Sequence, residues 1–187
     1  MLRPAASPAP GEPDERSSLT AKTVQELCPK CGLCCNGVLF TDVKLGKTDD
    51  LEKLISLGLD LKKRGTTWRF LQPCSALCGR LCTIYRDRPS QCRAFECALV
   101  KNVASGRLTA GAALKKIERA SRLAERIREL LRTWSGAQDE LSLRARYVEM
   151  LKEPVDLSID KKRLQLRDSI ASGMNRLIRF IQNDFLS

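Results

Sequence analysis

The 187-residue sequence predicts an α+β fold that is mainly helical: a small, irregular, cysteine-rich module with short strands, followed by a C-terminal region of about three helices. Three observations carry that expectation. All nine cysteines fall between Cys28 and Cys97. Beyond them, apolar residues recur every three or four positions, the period of a helix that buries one face. Residues 1–22 are proline-rich and lack apolar periodicity, which reads as a disordered tail. The expected organisation is a tail over 1–22, a cysteine-cluster module over 23–104 and an amphipathic helical region over 105–187.

Within the module, Val38, Phe40, Val43 and Leu45 suggest a short extended segment. Asp49 and Asp50 suit a helix N-terminus, and Leu51, Leu54, Ile55 and Leu59 have helical spacing after them. Gly65 is the expected end of that helix. Trp68, Phe70 and Leu71 read as a second strand leading into Cys74. After Cys97, Thr109 can cap a helix carrying Leu114, Ile117, Ala120, Ala124, Ile127, Leu131 and Trp134, with Gly136 as its stop. A shorter helix is expected over Leu141 to Lys152, before Pro154. A third begins near Ser158 and aligns Ile170, Met174, Leu177, Ile178, Ile181 and Phe185.

At 43% hydrophobic and 29% charged residues the composition is that of a globular chain. No apolar run approaches the roughly 20 residues of a membrane span. The N-terminal MLRPAASPAPGEPDERSS places prolines and acidic residues where a signal peptide would be continuously apolar, so the expected location is cytoplasmic. Reducing conditions there keep thiols from pairing, which turns nine cysteines from a disulfide framework into candidate metal ligands. Histidine is absent. Imidazole is thereby removed as ligand, as general base and as partner of a cysteine nucleophile, and any transition-metal site must be thiolate-rich.

The cysteines form two groups. CPKCGLCC supplies Cys28, Cys31, Cys34 and Cys35, and a two-residue spacer lets neighbouring sulfurs reach one ion. The adjacent Cys34 and Cys35 point in divergent directions, which suits two neighbouring sites or one bridging thiolate better than four ligands on one ion. The second group, CSALCGRLCTIYRDRPSQCRAFEC, supplies Cys74, Cys78, Cys82, Cys92 and Cys97, with Pro89 fixing a turn. Arg86, Arg88 and Arg93 lie where cations would lower cysteine pKa and offset thiolate charge. Trp68, Trp134 and Tyr85 are expected to be packing residues.

CPKCGLCC followed by the TIYRDRPSQCRAFEC segment resembles the CxxCxxCC cysteine-cluster proteins, often called YkgJ-like and described as zinc- or iron-chelating domains. The resemblance spans roughly Cys28 to Cys97. It implies a ligand set of Cys28, Cys31, Cys34, Cys35, Cys74, Cys82, Cys92 and Cys97, with Cys78 as an extra thiol outside the family pattern. The implied cofactor is Zn2+ or iron, the latter including an iron–sulfur cluster. Some relatives are described as iron–sulfur oxidoreductases or flagellin lysine N-methylases. This chain shows no dinucleotide fingerprint, P-loop or adenosylmethionine-binding pattern, so only the metal site is carried over.

Two functions therefore stay open: a metal-binding protein with no catalytic apparatus evident beyond the metal site, and an iron–sulfur oxidoreductase or methylase-related enzyme using the same cysteines. The missing catalytic companion tips the metal slightly toward zinc. From Lys101 onward the chain has 18 basic and 11 acidic residues. Pairs such as Glu118 with Arg122 make this excess a solvated helix surface before a nucleic-acid one, since aromatics are few and no reader module is visible. The expected partners are metal ions and a further protein, with no membrane.

Overall fold

A computed structural model of the chain describes residues 15–154 and 161–186. The expected tail lies outside the described residues as far as residue 14, but from Glu15 the backbone is already helical. The first helix, α1, spans Glu15–Cys31. Thr23, Val24, Leu27, Cys28 and Cys31 form a stripe at helical spacing, and Leu27 is fully buried. Pro29 sits in the last turn of the helix. Cys28 and Cys31 thus share a helix face instead of flanking a turn.

A three-stranded antiparallel sheet follows, built from β1 (Asp42–Lys44), β2 (Leu61–Arg64) and β3 (Thr67–Leu71) in the order β1-β3-β2. Val43 pairs with Phe70 in one ladder and Leu61 pairs with Phe70 in the other, which centres the sheet on the buried Phe70. Between β1 and β2 runs α2 (Leu51–Ser56), capped by Asp50, whose side chain accepts the Lys53 N–H. Gly65 does not end this helix, as its sequence position suggests. The chain leaves α2 at Leu57 and Gly58, and Gly65, at φ +60°, turns the β2–β3 hairpin.

A two-stranded hairpin, β4 (Leu77–Cys78) with β5 (Leu81–Cys82), leads through a 3-10 turn at Tyr85–Asp87 to two short helices, α3 (Ser90–Ala94) and α4 (Ala98–Ala104). Asp49 fastens α3 to the α2 loop by accepting the Ser90 N–H at 2.8 Å and the Ser90 hydroxyl at 3.0 Å.

The long helices match the periodic pattern closely. Helix α5 spans Ala110–Ser135, with the Thr109 hydroxyl accepting the Ala112 N–H and Gly136 at φ +76° beyond its end. Helix α6 covers Leu143–Lys152 behind a Ser142 cap, and α7 covers Lys161–Ile181 before a π-helical turn at Gln182–Leu186. The expected start of α7 near Ser158 falls outside the described residues. Helix α5 packs along α7 and against α1, so the N-terminal helix and the C-terminal ones share one core. That core contains Leu27, Leu99, Ile117, Ile127, Leu131, Ile170, Leu177 and Phe185, and Trp134 closes one end of it. Among the described residues no helix is long and apolar enough to cross a membrane.

Candidate metal centre

Each cysteine is placed by a different local device. Cys28 and Cys31 stand on the last turn of α1. Gly32, at φ +67°, then reverses the chain, and its carbonyl accepts the Cys35 N–H at 3.0 Å. A Cβ on Gly32 would press on Arg80 at 3.3 Å, so glycine serves both the turn and the close approach of the β4–β5 hairpin. Cys74 is pinned beside Cys35 by its own N–H, which donates to the Cys35 carbonyl at 2.8 Å. Cys82 ends β5, Cys92 lies in α3 and Cys97 is the residue before α4.

The eight cysteines of the family pattern line a single cavity of about 590 Å³. Cys78 does not line it and is solvent-exposed on the hairpin. Within the cavity the thiols sort by neighbour. Cys34 interacts electrostatically with Cys31, Cys35, Cys97 and Cys28, whereas Cys35 interacts with Cys74, Cys92 and Cys82. The two sets meet at the Cys34–Cys35 peptide. They also rest on different supports: Cys28, Cys31 and Cys97 pack against the large helical core, and Cys74, Cys82 and Cys92 against a small cluster of Leu54, Leu59, Phe70, Ala76 and Ile84.

Burial dominates the electrostatics. It pushes the Cys28 and Cys92 thiols up to about 11 and those of Cys31 and Cys35 up to about 12. It also raises Cys34 well above the ordinary thiol value, and Cys74 above it. Proximity of the other sulfurs adds to the rise. Arg88 opposes it at Cys28, Cys35 and Cys92, and Arg80 opposes it at Cys31. The backbone N–H groups of Leu33 and Ala76 oppose it at Cys31 and Cys74. The arginines expected to depress these thiols are therefore outweighed by desolvation. Arg88 and Arg93 do line the cavity and Arg86 does not.

The cysteine pattern does not single out Arg80. Its guanidinium donates to the Lys30 carbonyl at 2.7 Å, closing the hairpin over the end of α1. Its place in the CGRLC turn between Cys78 and Cys82 was the available signal. Tyr85, expected to be a packing residue, is exposed and packs within its own loop, with the Arg88 guanidinium stacked 3.8 Å from its ring centre. Trp134 is buried and Trp68 half-buried.

Among the described residues, no three or more cysteine, aspartate or glutamate side chains form a ready-made metal-ion site. In kind, the donor set fits a thiophilic metal. Eight sulfurs face one space, and the buried Gln72 Oε1, also on the cavity wall, has no hydrogen-bond partner. These features define a thiol-rich metal-binding class of protein. The family model of CxxCxxCC, described as "Putative zinc- or iron-chelating domain", matches residues 27–120, and the chain belongs to that family. The match runs past the last cysteine into α5, so it takes in helices that frame the cavity as well as its thiols. No curated protein and no solved structure matches the chain.

Proposed function

We propose that the chain is a cytoplasmic metal-binding protein that holds zinc or iron in two thiolate sets: Cys28, Cys31, Cys34 and Cys97 in one, Cys35, Cys74, Cys82 and Cys92 in the other. The module over 23–104 carries the binding, and the helical region over 105–187 backs it. One observation carries the reading: the eight thiols line one cavity on two supports, Cys28, Cys31 and Cys97 on the helical core and Cys74, Cys82 and Cys92 on the small cluster, with the adjacent Cys34 and Cys35 completing four thiols each. Bound zinc would supply cross-linking of a loop-rich segment, and bound iron–sulfur would add one-electron chemistry. Leu33 and Ala76 N–H groups and the Arg80 and Arg88 guanidiniums are already placed to stabilise thiolates once a cation has displaced their protons.

A second reading keeps the same cysteines and makes them ligands of iron–sulfur clusters in an oxidoreductase or methylase-related enzyme. The cavity volume favours it, since about 590 Å³ is ample for polynuclear centres. Anaerobic purification, a visible spectrum and assays of iron, sulfide and zinc separate the two readings. Colourless zinc-loaded protein supports the first, and brown sulfide-containing protein the second. In either case Cys34→Ser and Cys35→Ser are each expected to lose about half of the metal. Complete loss in both variants would argue for one centre, and full retention in both would remove these thiols from the ligand set.

A further inference from the structure

A second cavity, of about 600 Å³, opens beside the thiol cavity and shares Cys31 and Arg80 with it. Its walls are ionic. Arg80, Arg122, Arg128, Arg132 and Arg146 face Glu118, Glu125 and Asp139, so five guanidiniums meet three carboxylates and leave an excess of two positive charges. The helical pattern explains the clustering. Arg122, Arg128 and Arg132 belong to α5, Arg146 reaches in from α6, and Arg80 is delivered by the β4–β5 hairpin.

The guanidiniums here are incompletely used. Arg146 has a side chain only 2% exposed, and its Nε has no hydrogen-bond partner. Its other nitrogens reach Asp139 at 3.2 Å and the Gly136 carbonyl at 3.4 Å. Glu125 is shared between Arg128 at 3.3 Å and Arg132 at 3.2 Å, and Asp139 is shared between Arg132 at 3.2 Å and Arg146. Charge-assisted hydrogen bonds are usually about 2.7–2.9 Å and, between arginine and carboxylate, often paired. Glu125 and Asp139 are thus divided among three arginines by long contacts, while Arg122 pairs with Glu118 and Arg128 and Arg80 also donate to the Asn36 and Lys30 carbonyls at 3.0 and 2.7 Å. Burial lowers the Arg146 pKa, Asp139 counters that, and the like charges of Arg132 and Arg128 add to the strain of holding a cation there.

We infer that this arginine-walled cavity is a binding site for a small molecule bearing a phosphate monoester. The excess of two charges matches a dianion, and planar guanidinium forks match tetrahedral oxygens. The volume lies within the range of small-molecule sites and exceeds what bare phosphate fills, so an organic portion accompanies the anion. The site adjoins the first thiol set at Cys31 and Arg80, while Arg122, Arg128, Arg132 and Arg146 lie outside the thiol cavity.

Calorimetric titration of the full, metal-loaded chain with phenyl phosphate tests the inference. Inorganic phosphate and acetate serve as further probes, with ionic strength held constant. Saturable one-to-one binding of phenyl phosphate is expected, weaker binding of inorganic phosphate, and none of acetate. Arg132→Gln should weaken phenyl phosphate about tenfold, the loss of one charge-assisted contact. Glu118→Gln, which removes a competing carboxylate, should tighten it. Arg146→Lys keeps the charge but not the fork, and weakening there distinguishes recognition from bulk attraction. The exposed Lys162→Gln, outside the cavity, should change nothing. Absence of saturable binding would overturn the site, as would equal weakening by Lys162→Gln and Arg132→Gln. Metal analysis of the same samples reads the thiol assignment independently, so failure of one claim is visible apart from the other.

Discussion

The two halves of the cysteine cavity stand on unequal foundations. Cys28, Cys31 and Cys97 lean on a core whose buried members come from α1, α4, α5, α6, α7 and the C-terminal turn. Cys74, Cys82 and Cys92 lean on five buried residues, of which only Phe70 lies in a strand and only Leu54 in a helix, the six-residue α2. A hydrophobic cluster of that size offers little surplus over the conformational entropy of ordering its loops, whereas the helical core is a conventional one. The difference teaches where metal is needed for architecture. On the proposed assignment, the first thiol set would rest on a scaffold that folds without metal, and the second set would contribute to building its own scaffold.

The largest expected effect follows directly. Stripping metal from the loaded protein with a chelator should abolish amide-exchange protection in β1, β2, β3 and α3, while α5 and α7 stay protected. Structural zinc contributes on the order of 10 kcal/mol in small thiolate modules, far more than this cluster can replace. Uniform loss of protection across both regions would refute the asymmetry. The same experiment has a pH signature. The raised thiol pKa values mean that the folded, metal-free chain holds its protons more tightly than the unfolded one. This contribution to stability is full below the unfolded thiol value of 9.0 and is lost as pH rises toward 11 to 12. Metal binding must displace those protons, so affinity should rise with pH and each ligating thiol should release one proton to buffer.

The helical side is broken by a different kind of change. Leu131 is fully buried on α5, and Leu131→Ala should cost about 2–5 kcal/mol through lost transfer energy and the cavity left behind. Thermal or denaturant unfolding reads the loss. Metal content per folded chain should not change, because no cysteine is packed through this residue alone. Metal lost in proportion to stability would show that the two regions fold as one cooperative unit.

Legibility in the sequence divides along the same line. Helix α5 was readable from cap to stop because its boundaries are local: Thr109 and Gly136 act within one turn, and burial of Ile117, Ala120, Ala124, Ile127, Leu131 and Trp134 obeys a single period. The module was readable in its chemistry but not in its geometry. Spacing named the cysteines and suggested that Cys34 and Cys35 diverge. It did not indicate that Cys28 and Cys31 end a helix, since four turns of α1 carry few large apolar residues and a proline. Nor did it yield Arg80 as a neighbour of Cys31, or the partition of thiols between two supports. Those depend on contacts such as Cys74 with Cys35, far apart in sequence and set by hydrogen bonds without any periodic signal.

The joint between the regions offers the smallest and most discriminating test. Gly37, at φ +79°, follows the cysteine turn, and its carbonyl accepts the Leu143 N–H at 3.1 Å, at the first residue of α6. Beside it, the Asn36 carbonyl accepts from Arg128 on α5 at 3.0 Å. A Cβ on Gly37 would lie 2.9 Å from the Ser142 Cα, a backbone atom that cannot swing aside, and the positive φ is itself unfavourable for alanine. Gly37→Ala should therefore cost about 1–3 kcal/mol, from strain at a left-handed position with displacement of the α6 cap. If the first thiol set is held mainly by α1 and α4, this variant should keep its metal and show faster amide exchange confined to α6 and the 32–39 turn. Loss of metal from Gly37→Ala without loss of α6 protection would reverse the assignment. The helices would then be steadying the cysteine turn through this contact, and the support now ascribed to the core beneath Cys28 and Cys31 would have to be moved to the Gly37–Ser142 interface.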